Sequence, residues 1–255
     1  MRLPSRVGLG AFWARCWRGL LLDERRCAVC LAPFAPPAAA GGAVLLCPAC
    51  LMALPRRMAG YCPLCGEPAA FPLASPAPCA ACLGVAPPWE SFRFYGIYEG
   101  LLRRLILRAK FPPDISIARA LGELLLPVCR ELPACDALVP MPQHPVKLRR
   151  RGCNQCQEIA RPIAQGLHLP LMPHYLRRTL LTRPQTQLGR RERRADLSAS
   201  FAADAAVQGK RILLLDDTMT TGTSLRYGAR CLLRAGAAAV CVAIVARTTL
   251  HGRME

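Results

Sequence analysis

The sequence predicts an α/β protein with a parallel sheet, preceded by a small N-terminal region that metal ions stabilise. From Phe92 onward, short apolar runs alternate with segments of helical spacing, which is typical of a parallel sheet with crossover helices. The apolar run at 212–215 leads into two adjacent acids and then a Thr/Gly turn, as at the ligand-binding edge of an open sheet. Before residue 87, four Cys-x-x-Cys pairs follow one another.

Length and composition allow one or two domains with a substantial core, since 53% of the 255 residues are hydrophobic. No apolar run reaches the roughly 18–20 residues that a membrane span needs. The apolar stretch around residues 8–22 is interrupted by Arg15 and Arg18 and has no clean cleavage site after it. We therefore expect no signal peptide, no membrane insertion and a cytoplasmic location.

The N-terminal region begins with an unassigned lead-in, residues 1–26, and continues as a predicted double zinc ribbon over residues 27–86. In a reducing compartment, Cys-x-x-Cys spacing indicates metal rather than disulfides. Two such pairs complete a tetrahedral site, and sites closed by cysteine alone are structural, so we expect about two zinc ions. Pairing in sequence order is favoured by the spacing, but interleaved pairing stays open. The predicted ligands are Cys27, Cys30, Cys47, Cys50, Cys62, Cys65, Cys79 and Cys82.

The second predicted domain covers residues 87–255 and starts at the linker Pro87-Pro88. Its alternating and helical patterns place the elements in order. We expect strands at 92–98, 137–141, 175–181, 212–215 and 237–246. We expect helices at 99–110, 116–132 (capped by Ser116), 154–167 (lightly broken at Pro162) and 188–194, and a last helix that ends near 235–236, with a Pro- and Arg-rich loop at 142–152.

The turn after the apolar run at 212–215 carries the chemistry of a sugar-phosphate site. Two carboxylates suit ribose hydroxyls or Mg²⁺, and a Gly with backbone N–H groups at a helix start suits a phosphate. The bland alternative is an Asp-rich turn with a Thr cap. This stretch resembles the phosphoribosyl-pyrophosphate (PRPP) signature of type I phosphoribosyltransferases. The candidate residues are Asp216, Asp217, Thr220, Thr221, Gly222, Thr223 and Ser224.

A second constellation follows the strand at 137–141. Between residues 140 and 194, twelve lysines and arginines face only two glutamates. A basic loop here has the right chemistry for pyrophosphate, whereas the alternative is a solvated basic face. The candidate residues are Arg149, Arg150, Arg151, Gly152, Asn154 and Gln155.

The two sets of candidate residues follow four Cys-x-x-Cys pairs. In this combination the chain resembles the ComF family of competence-related proteins, GntX-like proteins included. Val139-Pro-Met-Pro142 and Arg151-Gly-Cys-Asn-Gln155 carry the likeness most strongly. The family pattern is also matched at Tyr98-Glu-Gly100, Leu105-Ile106, Lys110, Arg178, Thr182, Gln185, Leu188, Arg193 and Phe201, and departed from at Cys153, Asp196 and Thr218-Met219. We interpret Cys153 and Cys156 as free thiols, because no sixth pair completes a metal site.

The resemblance implies an α/β, type I phosphoribosyltransferase-like parallel sheet behind an N-terminal zinc-ribbon domain with four-cysteine sites, a PRPP site with Mg²⁺, and a role in DNA uptake, competence or the use of external DNA. Whether the protein is an enzyme stays open. Thr220 stands where some type I enzymes place an acidic base, yet transferases that stabilise only the leaving group need none. The alternatives are an active Mg-dependent transferase on an unknown acceptor, or a zinc-ribbon scaffold that binds single-stranded DNA or DNA-uptake proteins. A formal charge of +18 favours polyanionic partners, but at 6% aromatic residues, with few near the arginine runs, sequence-specific reading of DNA is disfavoured.

Overall fold

In the computed structural model, residues 25–35, 45–54, 56–69, 71, 75–179 and 200–248 are described. The chain forms two compact units, Met1–Ala53 and Leu54–Glu255. The first holds a two-residue hairpin, β1 (Arg25–Arg26) with β2 (Pro33–Phe34), and the short helix α1 (Pro48–Met52). The later two Cys pairs belong to the second unit. The domain boundary predicted at residues 86 and 87 stays a prediction.

The second unit is built on a four-stranded parallel sheet in the order β3-β8-β7-β4. Its two central strands are buried over most of their length, and their apolar runs at 212–215 and 240–246 are as expected when both faces of a parallel sheet are covered. The predicted α/β fold class is therefore confirmed. The strands are β3 (Ser91–Ile97), β4 (Ala137–Pro140), β7 (Arg211–Met219) and β8 (Ala239–Arg247).

Helices cover this sheet, and the two longest pack against each other. A Cβ atom on Gly122 would lie 2.1 Å from the carbonyl oxygen of Ile159, so only glycine allows this close approach. The predicted helix at 154–167 is continuous through Pro162. The helices are α2 (Ala80–Gly84), α3 (Gly100–Arg108), α4 (Ile115–Cys129), α5 (Pro145–Arg151), α6 (Gln155–Leu167) and α7 (Thr223–Arg234).

A small antiparallel hairpin lies against α7 and is formed by β5 (Leu176–Arg178) and β6 (Phe201–Ala203). The strand predicted at 175–181 is thus shorter among the described residues, because the chain beyond 179 lies outside them. The helical segment predicted at 188–194 also lies outside the described residues.

Three local predictions are corrected. The cap of α4 is Asp114 rather than Ser116, since the Asp114 carboxylate accepts a hydrogen bond from the Ile117 N–H at 3.1 Å. The segment predicted as a basic loop contains helix α5, because His144 caps it, Pro145 begins it and Gly152 ends it at φ 76°. Strand β7 continues through the two acids to Met219, since the ladder with β8 persists there.

Candidate functional site

The acid pair lies at the carboxyl-terminal end of β7, and one of the two acids is already paired with a lysine. Asp217 is 5% exposed. Its Oδ1 accepts a hydrogen bond from Lys110 Nζ at 2.9 Å, and its Oδ2 accepts one from Gln155 Nε2 at 2.6 Å. Burial disfavours the charge on Lys110, but the charge of Asp217 outweighs it and raises the pKa of Lys110. Both oxygens of Asp217 are thus engaged, and they hold Lys110 and Gln155 in place.

Asp216 is the more available carboxylate. It is partly exposed, and its Oδ1 accepts hydrogen bonds from the Asp217 N–H at 2.9 Å and the Cys156 thiol at 3.3 Å. Burial, followed by the charge of Asp217, raises the pKa of Asp216 to about 7. Burial and the two carboxylates raise the pKa of Cys156 well above its usual value. Near neutral pH, Asp216 can therefore exchange a proton, whereas Cys156 stays a thiol donor.

The predicted phosphate cradle follows β7 directly. Gly222 caps α7 with φ 72°, and a Cβ there would lie 2.9 Å from Met219 Cε, so a side chain at this position would be both strained and crowded. The Thr221 and Thr223 hydroxyls are 2.8 Å apart. Thr220 and Thr221 are exposed, and Thr223 and Ser224 are partly exposed. Gly222 has no side chain to cap α7, and the Thr223 N–H donates to the Thr221 hydroxyl at 3.4 Å, so the next N–H groups of the first turn and the positive end of the helix dipole stay available to an anion.

The predicted basic residues divide between the site and the surface. Arg149 and Arg150 are exposed in the last turn of α5. Arg151 instead contacts other residues of the chain: its Nη1 lies 3.4 Å from Gln155 Oε1, and its guanidinium carbon lies 4.5 Å from the centroid of the Phe111 ring. Arg151, Gln155 and Asp217 therefore form one continuous chain of polar contacts.

The turn after α5 fixes Gln155. Gly152 ends that helix, and Asn154 caps α6 by accepting from the Cys156 N–H at 3.0 Å. Asn154 also donates to the Met141 carbonyl at 3.1 Å, and Gln143 donates to Gln155 Oε1. These contacts hold the start of α6 against the end of β4, so the amide of Gln155 faces β7.

Cysteine thiols form two separate groups that can each hold a zinc ion. Cys27, Cys30, Cys47 and Cys50 make one, and Cys62, Cys65, Cys79 and Cys82 make the other. Pairing in sequence order is confirmed, and interleaving is excluded. Across the pairs, the Cys30 and Cys47 sulfurs and the Cys65 and Cys79 sulfurs are each 3.7 Å apart. A tetrahedron with Zn–S bonds of about 2.3 Å has edges of about 3.8 Å, so the donor sets fit zinc.

Arg247 connects the second Cys group to the turn that is the predicted phosphate cradle. It is 3% exposed, and its Nε donates to the Cys65 carbonyl at 2.9 Å. Its Nη1 donates to the carbonyls of Met219 at 3.0 Å and of Thr220, and its Nη2 pairs with Glu67. One buried cation thus satisfies carbonyls from both segments.

Sequence reasoning missed three parts of this site. Lys110 enters from the sequence only as a family match, because its position after a helix of apolar spacing does not reveal its partner. The sequence predicts Cys156 as a free thiol but gives no sign of its partner. In the structure the thiol is buried and donates a hydrogen bond to Asp216. Arg247 ends an apolar strand, and a charge at the end of a buried run was the available signal.

Comparison with known proteins gives clear relatives by sequence. The chain is 35% identical over 211 residues to the DNA utilization protein YhgH of Escherichia coli (strain K12). The matched region covers 80% of this chain and 90% of that protein. The chain is 28% identical to competence protein F of Haemophilus influenzae, with 69% and 80% covered, and 27% identical to competence protein ComFC of Bacillus subtilis, with 76% and 80% covered. No family model matches the chain.

Solved structures give weaker similarities. Glutamine PRPP amidotransferase from B. subtilis, complexed with ADP and GMP, is 22% identical with a TM-score of 0.39, covering 51% of this chain and 27% of that one. A phosphoribosyltransferase from Corynebacterium diphtheriae is 22% identical with a TM-score of 0.32, covering 57% and 67%. Within the described residues, no helix has the length and apolar character to cross a bilayer. By the sequence relatives, with its two four-cysteine groups and α/β sheet, this chain belongs to the ComF family.

Proposed function

We propose that the protein binds PRPP or a closely related sugar phosphate at the end of β7 and works in the uptake or use of external DNA. One observation supports the first half: Asp216, a partly exposed residue at the end of β7, is followed six positions later by Gly222, which caps a helix start. Carboxylates accept hydrogen bonds from ribose hydroxyls, and helix N-termini bind phosphates. The names of the relatives, DNA utilization protein and competence protein, support the second half.

In this proposal each group has a distinct role. Asp216 accepts ribose hydroxyls and is the carboxylate placed to share Mg²⁺. Asp217 holds Lys110 and Gln155 in position, because both of its oxygens are already engaged. The turn at 220–224 donates to the 5′-phosphate, and Arg151 donates to the pyrophosphate. A cytoplasmic location belongs to the proposal, since thiols stay reduced and able to bind zinc there.

A transferase activity is the second candidate, and the pKa of Asp216 favours it. A carboxyl group with a pKa of about 7 is matched to proton transfer at neutral pH. Asp216 then takes the part that the missing acid at Thr220 plays in some type I enzymes. The acceptor nucleophile would form a bond to C1 of the ribose and lose its proton to Asp216, as the bond from C1 to pyrophosphate breaks and pyrophosphate leaves. Single-stranded DNA is a further candidate partner, and the exposed Arg149 and Arg150 support backbone contact.

The test is calorimetry of PRPP binding, with and without Mg²⁺, on the wild type and on Asp216→Asn/Asp217→Asn. We expect the wild type to bind and the variant to lose binding while its circular dichroism spectrum persists. Asp204→Asn, a change at an acid of the 3₁₀ turn after β6, is the matched control and should bind normally. Equal affinity in wild type and double variant would refute the assignment. Release of pyrophosphate with candidate acceptors, followed in parallel, decides whether the site is also catalytic.

A further inference from the structure

Arg178 is a half-buried cation that the chain itself leaves partly unsatisfied. It ends β5 and pairs in register with Phe201 of β6. Its guanidinium carbon lies 5.6 Å from the centroid of the Phe201 ring, and that ring is 6% exposed. A guanidinium over a buried aromatic face is held in one orientation. The charge of Arg178 is therefore fixed in position rather than free to swing into solvent.

Hydrogen bonding does not explain why Arg178 is held there. Among the described residues, its Nε is buried and has no hydrogen-bond partner. Leaving a buried donor unpaired costs stability, so such a group needs a reason. Strand β5 lies beside the end of β7: a Cβ on Gly228 would lie 3.2 Å from Leu176 Cδ2 and 3.3 Å from Met141 Sδ, and the Met141 N–H donates to the Leu215 carbonyl, next to Asp216, at 2.7 Å. Arg178 lies two residues after Leu176 and therefore on the same face of β5. Burial lowers the pKa of Arg178, while the charge of Asp216 acts in the opposite direction.

The neighbouring arginine shows what an ordinary surface contact looks like on the same strand. The side chain of Arg177 is 67% exposed and pairs with Asp204 at 3.4 Å. It also donates to the His174 carbonyl at 3.3 Å. Successive residues of a strand point to opposite faces. The hydrogen-bond donors of Arg177 therefore find their partners on one face of the β5–β6 pair, while Arg178 lies on the other.

We propose that Arg178 donates hydrogen bonds to phosphoryl oxygens of the ligand held at the end of β7, and that this ligand is a phosphate ester or a diphosphate. The inference rests on the proposed function, because it places the same ligand beside Asp216. A site with two carboxylates needs a cation to receive a phosphate. Lys110 is already paired with Asp217 at 2.9 Å. Arg178 offers a planar fork that matches two phosphate oxygens.

The test compares Arg178→Met, which keeps the apolar stem and removes the charge, with Arg178→Lys and with Arg177→Met as the matched control. Each protein is titrated with inorganic pyrophosphate and, separately, with PRPP and Mg²⁺ at one salt concentration. We expect Arg178→Met to lose roughly tenfold to a hundredfold in affinity, as for a charge-assisted hydrogen bond. Arg178→Lys should recover part of the loss, and Arg177→Met should match the wild type.

Urea unfolding separates a binding role from a structural one. If Arg178 serves the ligand, Arg178→Met should be at least as stable as the wild type, because it removes an unpaired buried donor. Unchanged affinity for both probes in Arg178→Met overturns the inference. The inference is also overturned if each Arg178 variant that binds more weakly is also less stable in urea than the wild type. Wild type that binds pyrophosphate but not PRPP sinks the proposed function and still tests Arg178 with pyrophosphate. Wild type that binds neither probe overturns both.

Discussion

Asp216 and Asp217 are adjacent in sequence but differ in what the fold has done with them. Asp217 is buried, and its carboxylate is paired with Lys110 at 2.9 Å. Asp216 receives only a thiol and a backbone N–H, and its pKa rises to about 7. One carboxylate is therefore structural within the site, and the other keeps its capacity to accept protons, hydroxyls or a cation.

The raised pKa of Asp216 predicts a pH-dependent stability. An unfolded aspartate has a pKa of about 3.9, so between that value and about 7 the folded protein holds a proton that the unfolded chain has lost. The free energy of unfolding should then fall as pH rises through this window. Asp216→Asn should flatten the slope, and Asp204→Asn should not. Urea titrations between about pH 5.5 and 8, where zinc thiolates persist, measure it; parallel slopes in all three proteins would contradict the assignment.

The sequence predicts Asp216, Asp217 and Gly222 as candidate site residues, because they lie close together along the chain in one strand–turn–helix pattern. It was not sufficient to identify Lys110 or Cys156 as their partners. Lys110 is 107 residues from Asp217 in sequence, and only the parallel sheet brings the two side chains together. Contacts of that separation have no local pattern, so the site's electrostatics could not be predicted.

Among the elements, helix α7 and its glycine cap set the geometry of the predicted phosphate cradle at 220–224. Gly222→Ala should cost about 1–3 kcal/mol of stability, because a left-handed residue acquires a side chain, and should weaken PRPP binding. Gly209→Ala is the matched control: its φ is 70° but a Cβ there meets no atom within 4 Å. We expect Gly209→Ala to lose stability without losing PRPP affinity. Thermal melts and calorimetry on both variants distinguish strain alone from damage to the cradle, and equal affinities would argue against the loop.

Helix α5 makes a second comparison possible within one turn. Arg151 contacts Gln155 and Phe111, whereas Arg149 is exposed. Arg151→Ala should reduce pyrophosphate affinity roughly tenfold to a hundredfold, as expected for a lost charge-assisted contact. Arg149→Ala should leave it unchanged but reduce the salt dependence of oligonucleotide binding if DNA is a partner. Equal pyrophosphate affinities in both variants would return α5 to a solvated basic surface.

Most elements were predictable because their apolar periodicity is strong, as in β3, β8 and α6. The helix α5 was missed, since prolines and adjacent arginines resemble a loop unless the caps at His144 and Gly152 are recognised. A strand that ends before the acids is the natural expectation, because charge usually ends a buried strand. Pairing with β8 instead carries β7 past them.

At the scale of the whole molecule, the two four-cysteine groups predict about two zinc ions per chain. Elemental analysis of protein purified under reducing conditions should give that ratio. Cys30→Ser/Cys47→Ser and Cys65→Ser/Cys79→Ser should each retain about one, since the groups share no cysteine. A zinc content near zero in wild type, with thiols that all react with a thiol reagent, would contradict the prediction.

Arg247 has a consequence for how the chain can be cut and recombined. Without residues 54–86, the Arg247 guanidinium would lose the Cys65 carbonyl and its carboxylate partner Glu67, and would keep only backbone carbonyls from its own segment and the turn after β7. A fragment that starts at Pro87 should therefore aggregate, whereas one that starts at Leu54 should fold and bind zinc at one site. Expression of the two fragments side by side decides it. The first four-cysteine group should then be separable from the sheet, whereas the second should not be.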